Sequence, residues 1–168
     1  VGGAAAKKRH ARGGPVGTTG ARRGGRRAVA EAGVKGSRAV GGSGVEATGT
    51  YWYGGEAAVE NIAKLQPQVA QADMLFAVGG GKAIDTVKVL AHMTHRPFFT
   101  FPTIASNCAG CTSLGILYHP DGSLREYFFS KLPPSHIFIA LYIIATAPGH
   151  HRWAGMGVTM AKQVDSTH

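Results

Sequence analysis

The sequence predicts an α/β fold, a partial parallel sheet with crossover helices and an inserted β-hairpin. Three observations predict it. The apolar run 74–78 ends in Gly79-Gly80-Gly81, and a helical pattern opens at Lys82. A second apolar run, 98–101, follows that helix, which gives strand, helix, strand in order. Pro120-Asp121-Gly122 then sits between two further apolar runs, as a hairpin turn does.

The chain has 168 residues, enough for one domain with a real core. It opens on Val1 rather than Met, as a processed product or a fragment does. None of its apolar runs approaches the roughly 20 residues of a membrane span. The N-terminus lacks the apolar core of a signal peptide. Two cysteines make no disulfide framework, so the expected setting is cytoplasmic.

The net charge of +9 is local. Residues 1–42 hold ten basic residues against one acid, Glu31, and so account for all of it. Of the 25 glycines, 13 fall within residues 1–44, where no aromatic residue occurs. Such a segment buries too little surface to offset chain entropy, and disorder is expected there. The expected division is therefore a Gly/Arg-rich segment over 1–44 and a partial α/β domain over 45–168. The basic segment is open to three readings. It is an arm that holds nucleic acid nonspecifically through phosphates, a transit peptide, or a solvated tail. It lacks the aromatic residues that stack on bases.

From Val45 the elements follow in order. Residues 48–53, Thr-Gly-Thr-Tyr-Trp-Tyr, are β-prone, and Gly54-Gly55 ends them. A helix is expected over 56–65, with Ala58, Ile62 and Leu65 inward and Pro67 at its end. The strand at 74–78 is apolar throughout, as in a sheet covered on both faces. The next helix should run from Lys82 to about His92. Ala83, Ile84, Val87, Leu90 and Ala91 share its inner face, while Lys82, Asp85 and Lys88 lie elsewhere. After the strand at 98–101 comes a long loop, 102–112, leaving the strand's carboxyl end. Residues 113–118 and 124–129 form the hairpin. Ile137-Phe138-Ile139 reads as a further strand, 143–147 as a short helix stopped by Pro148, and 153–163 as the last helix. Trp52 and Trp153 read as packing residues.

The glycine turn carries the functional signal. Three glycines let the backbone turn sharply and leave main-chain N–H groups bare. Where such a turn opens a helix, those groups and the positive helix end point at one spot, which suits a phosphate. The G-x-G-x-x-G fingerprint fails because Ile84 stands at its last glycine. The P-loop pattern fails at Phe76 and Ala83. A phosphate cradle and a plain strand-to-helix turn both remain open on this evidence. Cys108-Ala109-Gly110-Cys111 has the C-x-x-C spacing, open to a redox pair, half of a metal site, or small loop residues beside a ligand. No Ser-His-Asp or paired-carboxylate pattern stands out.

Five motifs in order carry a resemblance. They are Gly79-Gly80-Gly81-Lys82-x-x-Asp85, Pro102-Thr103-Ile104-Ala105-Ser106, the hairpin 118–122, Ala145-x-Ala147-Pro148, and Ala154-Gly155-Met156-Gly157. Over about residues 45–162 the chain resembles the glycerol dehydrogenases of the metal-dependent, iron-containing type alcohol dehydrogenase family. The resemblance implies a Rossmann-like dinucleotide-binding domain followed by a helical domain, with this chain ending before the second. It implies oxidation of a small secondary alcohol or polyol to a ketone by hydride transfer to NAD, assisted by a divalent metal, zinc or iron. It also implies a homo-oligomer.

Carried onto this sequence, the resemblance puts Gly79, Gly80, Gly81, Lys82 and Asp85 at the cofactor pyrophosphate. Thr103, Ser106, Thr112, Leu114 and Tyr118 become further cofactor contacts. Cys108 falls where the pattern has a substrate-contacting Asp, which points to a small alcohol or diol other than glycerol. Val158 falls where the pattern has its first metal ligand, also an Asp, and a valine offers no lone pair. His150 and His151 match no ligand position and are expected on an exposed turn. The chain reads as a truncated, degenerate copy, inactive by itself, whose alternative role is residual nucleotide binding.

Overall fold

A computed structural model describes residues 17–22, 46–105 and 107–167. The chain forms a five-stranded sheet, a separate two-stranded hairpin and four helices among these residues. In order they are β1 (Gly17–Arg22), β2 (Glu46–Trp52), α1 (Val59–Leu65), β3 (Met74–Gly79), α2 (Gly81–Thr94) and β4 (Phe98–Pro102). A 3-10 turn (Cys108–Gly110) precedes β5 (Leu114–Tyr118), β6 (Leu124–Phe129), β7 (His136–Ile137), α3 (Leu141–Ala145) and α4 (Gly149–Asp165).

The sheet order is β2-β1-β3-β4-β7. β3, β4 and β7 are parallel, as the strand–helix–strand order predicts. The other half differs from expectation. β1 lies antiparallel between β2 and β3, so β2 shares the direction of β3 without pairing to it. β1 comes from the Gly/Arg-rich stretch, where no strand was expected. Residues 1–16 and 23–45 lie outside the described residues, and with them most of the basic segment.

Period-two alternation along β3 and β4 sends side chains to two faces. Leu75, Ala77 and Phe98 join Ile62, Leu65, Ile84, Val87 and Leu90 in the main core between sheet and helices. Phe76 faces the other way, edge-on to Phe99 and Phe101 at centroid distances of 5.3 and 5.6 Å. Phe138 stacks on Phe101 at 4.7 Å and closes that layer. Ile62 and Leu65 of α1 are buried, as read from the sequence, although α1 starts at Val59. α2 runs two residues past the expected end. It stops at His95, which takes the left-handed conformation at φ 52°.

The C-terminal helices bury little. Leu141, Tyr142, Trp153 and Met160 are each at least 70% exposed. Trp52 is 53% exposed. Neither tryptophan is the packing residue the sequence suggested.

The hairpin turn forms where Pro-Asp-Gly places it, with Gly122 at φ 86° and its N–H donating to the His119 carbonyl at 2.9 Å. Asp121 Oδ1 accepts from the Ser123 hydroxyl at 2.7 Å and the Ser123 N–H at 2.9 Å. These bonds, the hydroxyl's first, hold the Asp121 carboxyl below the usual carboxylate range. A depressed carboxyl adds stability above its unfolded pKa and loses it as pH falls through the folded value. Ser123→Ala should therefore move the Asp121 midpoint upward, toward the unfolded value, in a side-chain NMR titration.

Candidate functional site

The register of the parallel strands assembles the site. Gly79 pairs with Pro102, so the glycine turn and the loop after β4 leave the same carboxyl edge side by side. Open α/β sheets bind ligands at that edge. The Thr103 N–H donates to the Gly79 carbonyl at 3.1 Å and carries the ladder one residue beyond the strands. Gly79 sits at φ 152°, a conformation that favours glycine. Gly80 is the N-cap of α2, and it supplies no side-chain cap. The first turn of α2 holds no acidic residue. The N–H groups of Gly81, Lys82 and Ala83 are those a helix start leaves without an intrahelical acceptor.

Space around the turn is graded. A Cβ on Gly80 would stand 2.9 Å from Ile104 Cδ1, the flexible end of a side chain. A Cβ on Gly81 would meet the Asn107 amide at 3.5 Å and Ala109 Cβ at 3.9 Å, both ordinary contacts.

Lys82 does not extend freely. Its Nζ lies 2.5 Å from Glu56 Oε1 and 5.2 Å from the centroid of the Tyr118 ring. The other Glu56 oxygen, Oε2, is buried without a hydrogen-bond partner among the described residues. Burial, with Glu56 adding to it, pushes the Tyr53 hydroxyl above its usual range. The Tyr118 N–H donates to the Ala57 carbonyl at 2.9 Å, which ties the hairpin to the residues just before α1.

Asp85 and Lys88 are the main departure from the sequence reading. Both were placed off the inner face of α2, and both are buried. The reason is the hairpin, which covers the second side of the helix. Gly115 of β5 packs there, its hypothetical Cβ 3.4 Å from Lys88 Cδ and 3.5 Å from Asp85 Oδ1. Lys88 Nζ lies 3.1 Å from Asp85 Oδ1 and donates to the carbonyls of Ala109, at 3.1 Å, and Leu114. The Ile116 N–H donates to Asp85 Oδ2 at 3.3 Å. Burial raises the Asp85 carboxyl above the usual range, and Lys88 and the Ile116 N–H pull it back without overcoming that. The Asp85 carboxylate thus faces the hairpin.

The remaining expected residues divide. Tyr118 reaches the glycine turn through Lys82. The Thr112 hydroxyl donates to the Cys108 carbonyl at 3.0 Å, and the Leu114 carbonyl receives Lys88. Cys108 is half-buried at the start of the 3-10 turn, capped by Asn107 Oδ1, which accepts from the Ala109 N–H at 3.0 Å. Ser106 lies outside the described residues. Sequence reasoning missed Glu56, Lys88 and Asn107. Only Lys88 left a trace, as a lysine one turn from Asp85.

The family model for iron-containing alcohol dehydrogenase matches residues 24–148. The chain belongs to that family. Among curated relatives, glycerol dehydrogenase from Thermotoga maritima is 36% identical over 110 residues, 65% of this chain and 30% of the relative. Glycerol dehydrogenase 1 from Schizosaccharomyces pombe is 36% identical over 115 residues, 68% of this chain and 26% of the relative. The crystal structure of the Schizosaccharomyces pombe glycerol dehydrogenase matches with a TM-score of 0.62, at 36% identity, over 67% of this chain and 29% of that one. The chain thus spans less than a third of the length of these relatives. The fold expectation, a partial parallel-sheet domain of this family, holds.

Val158, which the sequence resemblance sets at a ligand position, lies on α4 and is 38% exposed. His150 and His151 are exposed, as expected, and stand in the first turn of α4 with their rings 4.2 Å apart. Among the described residues no three His, Cys, Asp or Glu side chains gather where a metal ion could be held. No described helix is long and apolar enough to cross a membrane.

Proposed function

We propose that this chain is the nucleotide-binding part of an NAD-dependent dehydrogenase for a small polyol, with the Gly79–Gly81 turn seating the pyrophosphate. The observation that carries the reading is the uncapped start of α2, which opens from a glycine turn at the carboxyl edge of the sheet. The resemblance to proteins named glycerol dehydrogenase supports the substrate class. NAD, when bound, accepts a hydride from the alcohol carbon.

The chain's own residues build the seat. The N–H groups of Gly81, Lys82 and Ala83 donate to phosphate oxygens, reinforced by the positive helix end. Thr103 forms the facing wall. Lys82, its charge balanced by Glu56, braces the Tyr118 ring at the rim. Asp85 is a positioning residue. Through Lys88 it fixes the 3-10 turn and the hairpin, and with them Cys108, Thr112 and Leu114, against α2. Cys108 stands where the family pattern has a substrate-contacting Asp, which favours a small alcohol or diol. Zinc or iron belongs to the intact family reading, and with Val158 in place no step of this chain runs through a metal.

Calorimetric titration of the full chain with NAD tests the seat. The wild type should bind, and Gly81→Val should weaken binding at least tenfold, about 1.4 kcal/mol. The first added carbon meets only ordinary contact inside the protein, so the variant should keep its unfolding midpoint. Equal heats for both proteins would remove the glycine turn from the reading.

A further inference from the structure

The C-x-x-C segment, beside the proposed nucleotide seat, lies in a geometry that suits a second chemistry. Cys108–Gly110 forms a single 3-10 turn, and the Cys111 N–H closes it on the Cys108 carbonyl at 3.0 Å. With about three residues per 3-10 turn, side chains at i and i+3 eclipse. Such a turn brings the two Cα atoms within about 7 Å, and a disulfide spans about 4.4–6.8 Å. The Cys111 sulfur already rests 3.2 Å from the Cys108 carbonyl oxygen. Both thiols are free, Cys111 exposed and Cys108 half-buried.

The turn is also held still. The Ala109 carbonyl accepts from Lys88 Nζ at 3.1 Å, and the Gly110 carbonyl accepts from the Thr100 hydroxyl at 2.8 Å. The Cys108 carbonyl accepts from the Thr112 N–H at 3.1 Å and the Thr112 hydroxyl at 3.0 Å. Four bonds to residues outside the turn thus hold the two sulfurs' backbone in one arrangement before any oxidant arrives.

We propose that Cys108 and Cys111 are a reversible dithiol–disulfide pair that exchanges with small-molecule disulfides. The Cys111 thiolate, the exposed one, attacks a sulfur of the external disulfide. That S–S bond breaks, one thiolate leaves, and a mixed disulfide forms on Cys111. The Cys108 thiolate then attacks the Cys111 sulfur and displaces the second external thiolate. Two cysteine thiols are oxidised to one disulfide, the external disulfide is reduced to two thiols, and the two cysteine protons pass to the leaving thiolates. The chemistry needs no nucleotide, although the turn lies beside Gly81 of the proposed seat.

The full chain is incubated with oxidised glutathione and its thiols and intact mass are measured. Both free thiols should disappear, the mass should fall by two hydrogens, and a reductant should restore both values. Cys108→Ser should instead retain one glutathionyl group, on Cys111. Because the fold holds the pair together, the native chain should be half-oxidised at about tenfold less oxidised glutathione than the chain in urea. Retained glutathionyl groups on the wild type, disulfide-linked dimers, unreacted thiols, or equal oxidation with and without urea would each overturn the proposal.

Discussion

Asp85→Ala is expected to cost about 3–5 kcal/mol of folding stability, measured by denaturant unfolding at neutral pH. The alanine leaves Lys88 buried with its charge opposed by no carboxylate, since the Lys88 side chain has no exposed surface. It also leaves the Ile116 N–H without its acceptor. Domains of this kind hold about 5–15 kcal/mol in total, so the loss is a large share. A buried pair is costly to break and cheap to replace as a unit. Asp85→Ala combined with Lys88→Met should therefore recover part of the loss. Recovery stops short of complete because the Ala109 and Leu114 carbonyls lose their donor. The two changes are non-additive by design, and a strictly additive double variant would show that the pair is not coupled.

The raised Asp85 carboxyl adds a pH signature. The folded chain holds this proton more tightly than the unfolded chain does. By linkage, this group's contribution falls as pH rises from the unfolded carboxyl value through the folded one. Asp85→Asn should remove that falling limb while keeping the shape of the side chain. An unchanged stability–pH profile would place the carboxyl back in the ordinary range.

What the sequence revealed follows from how local its signals are. β3, β4 and the hairpin were legible because each is an apolar run bounded by glycine, proline or aspartate. The turn between β3 and α2 was legible because strand, turn and helix start are contiguous, and parallel pairing then brings Thr103 beside it. β1 was not legible. Gly-Thr-Thr-Gly-Ala-Arg carries no apolar alternation, and the strand is identified by its pairing with β2 and β3, both distant in sequence. The burial of Lys88 was not legible either. Helical periodicity describes one covered face, and the second cover comes from β5, which begins 20 residues beyond the end of the helix. Glu56 reaches Lys82 across 26 residues, which no short-range pattern records.

Gly155→Ala should undock α4 while leaving the helix itself more favourable. A Cβ at this position would lie 1.7 Å from the Ala105 carbonyl oxygen and 2.7 Å from its carbonyl carbon, both backbone atoms. Neither can rotate away, so the helix or the loop after β4 must move, at a cost of about 1–3 kcal/mol. Gly155 is the buried residue of α4, so the loss falls on this one contact. Gly157, one turn face away, meets nothing within 4 Å. Gly157→Ala therefore gains helix propensity, roughly 1 kcal/mol, with no clash. The two substitutions are chemically identical and should have opposite signs. Limited trypsin cleavage at Arg152 and Lys162 reads the difference, because an undocked helix of this length is marginal in water. Cleavage should speed up about tenfold in Gly155→Ala, the equivalent of about 1.4 kcal/mol, and slow in Gly157→Ala. Equal rates in the two variants would mean that α4 does not rest on the loop that flanks the glycine turn, and that the wall of the proposed nucleotide seat is built without it.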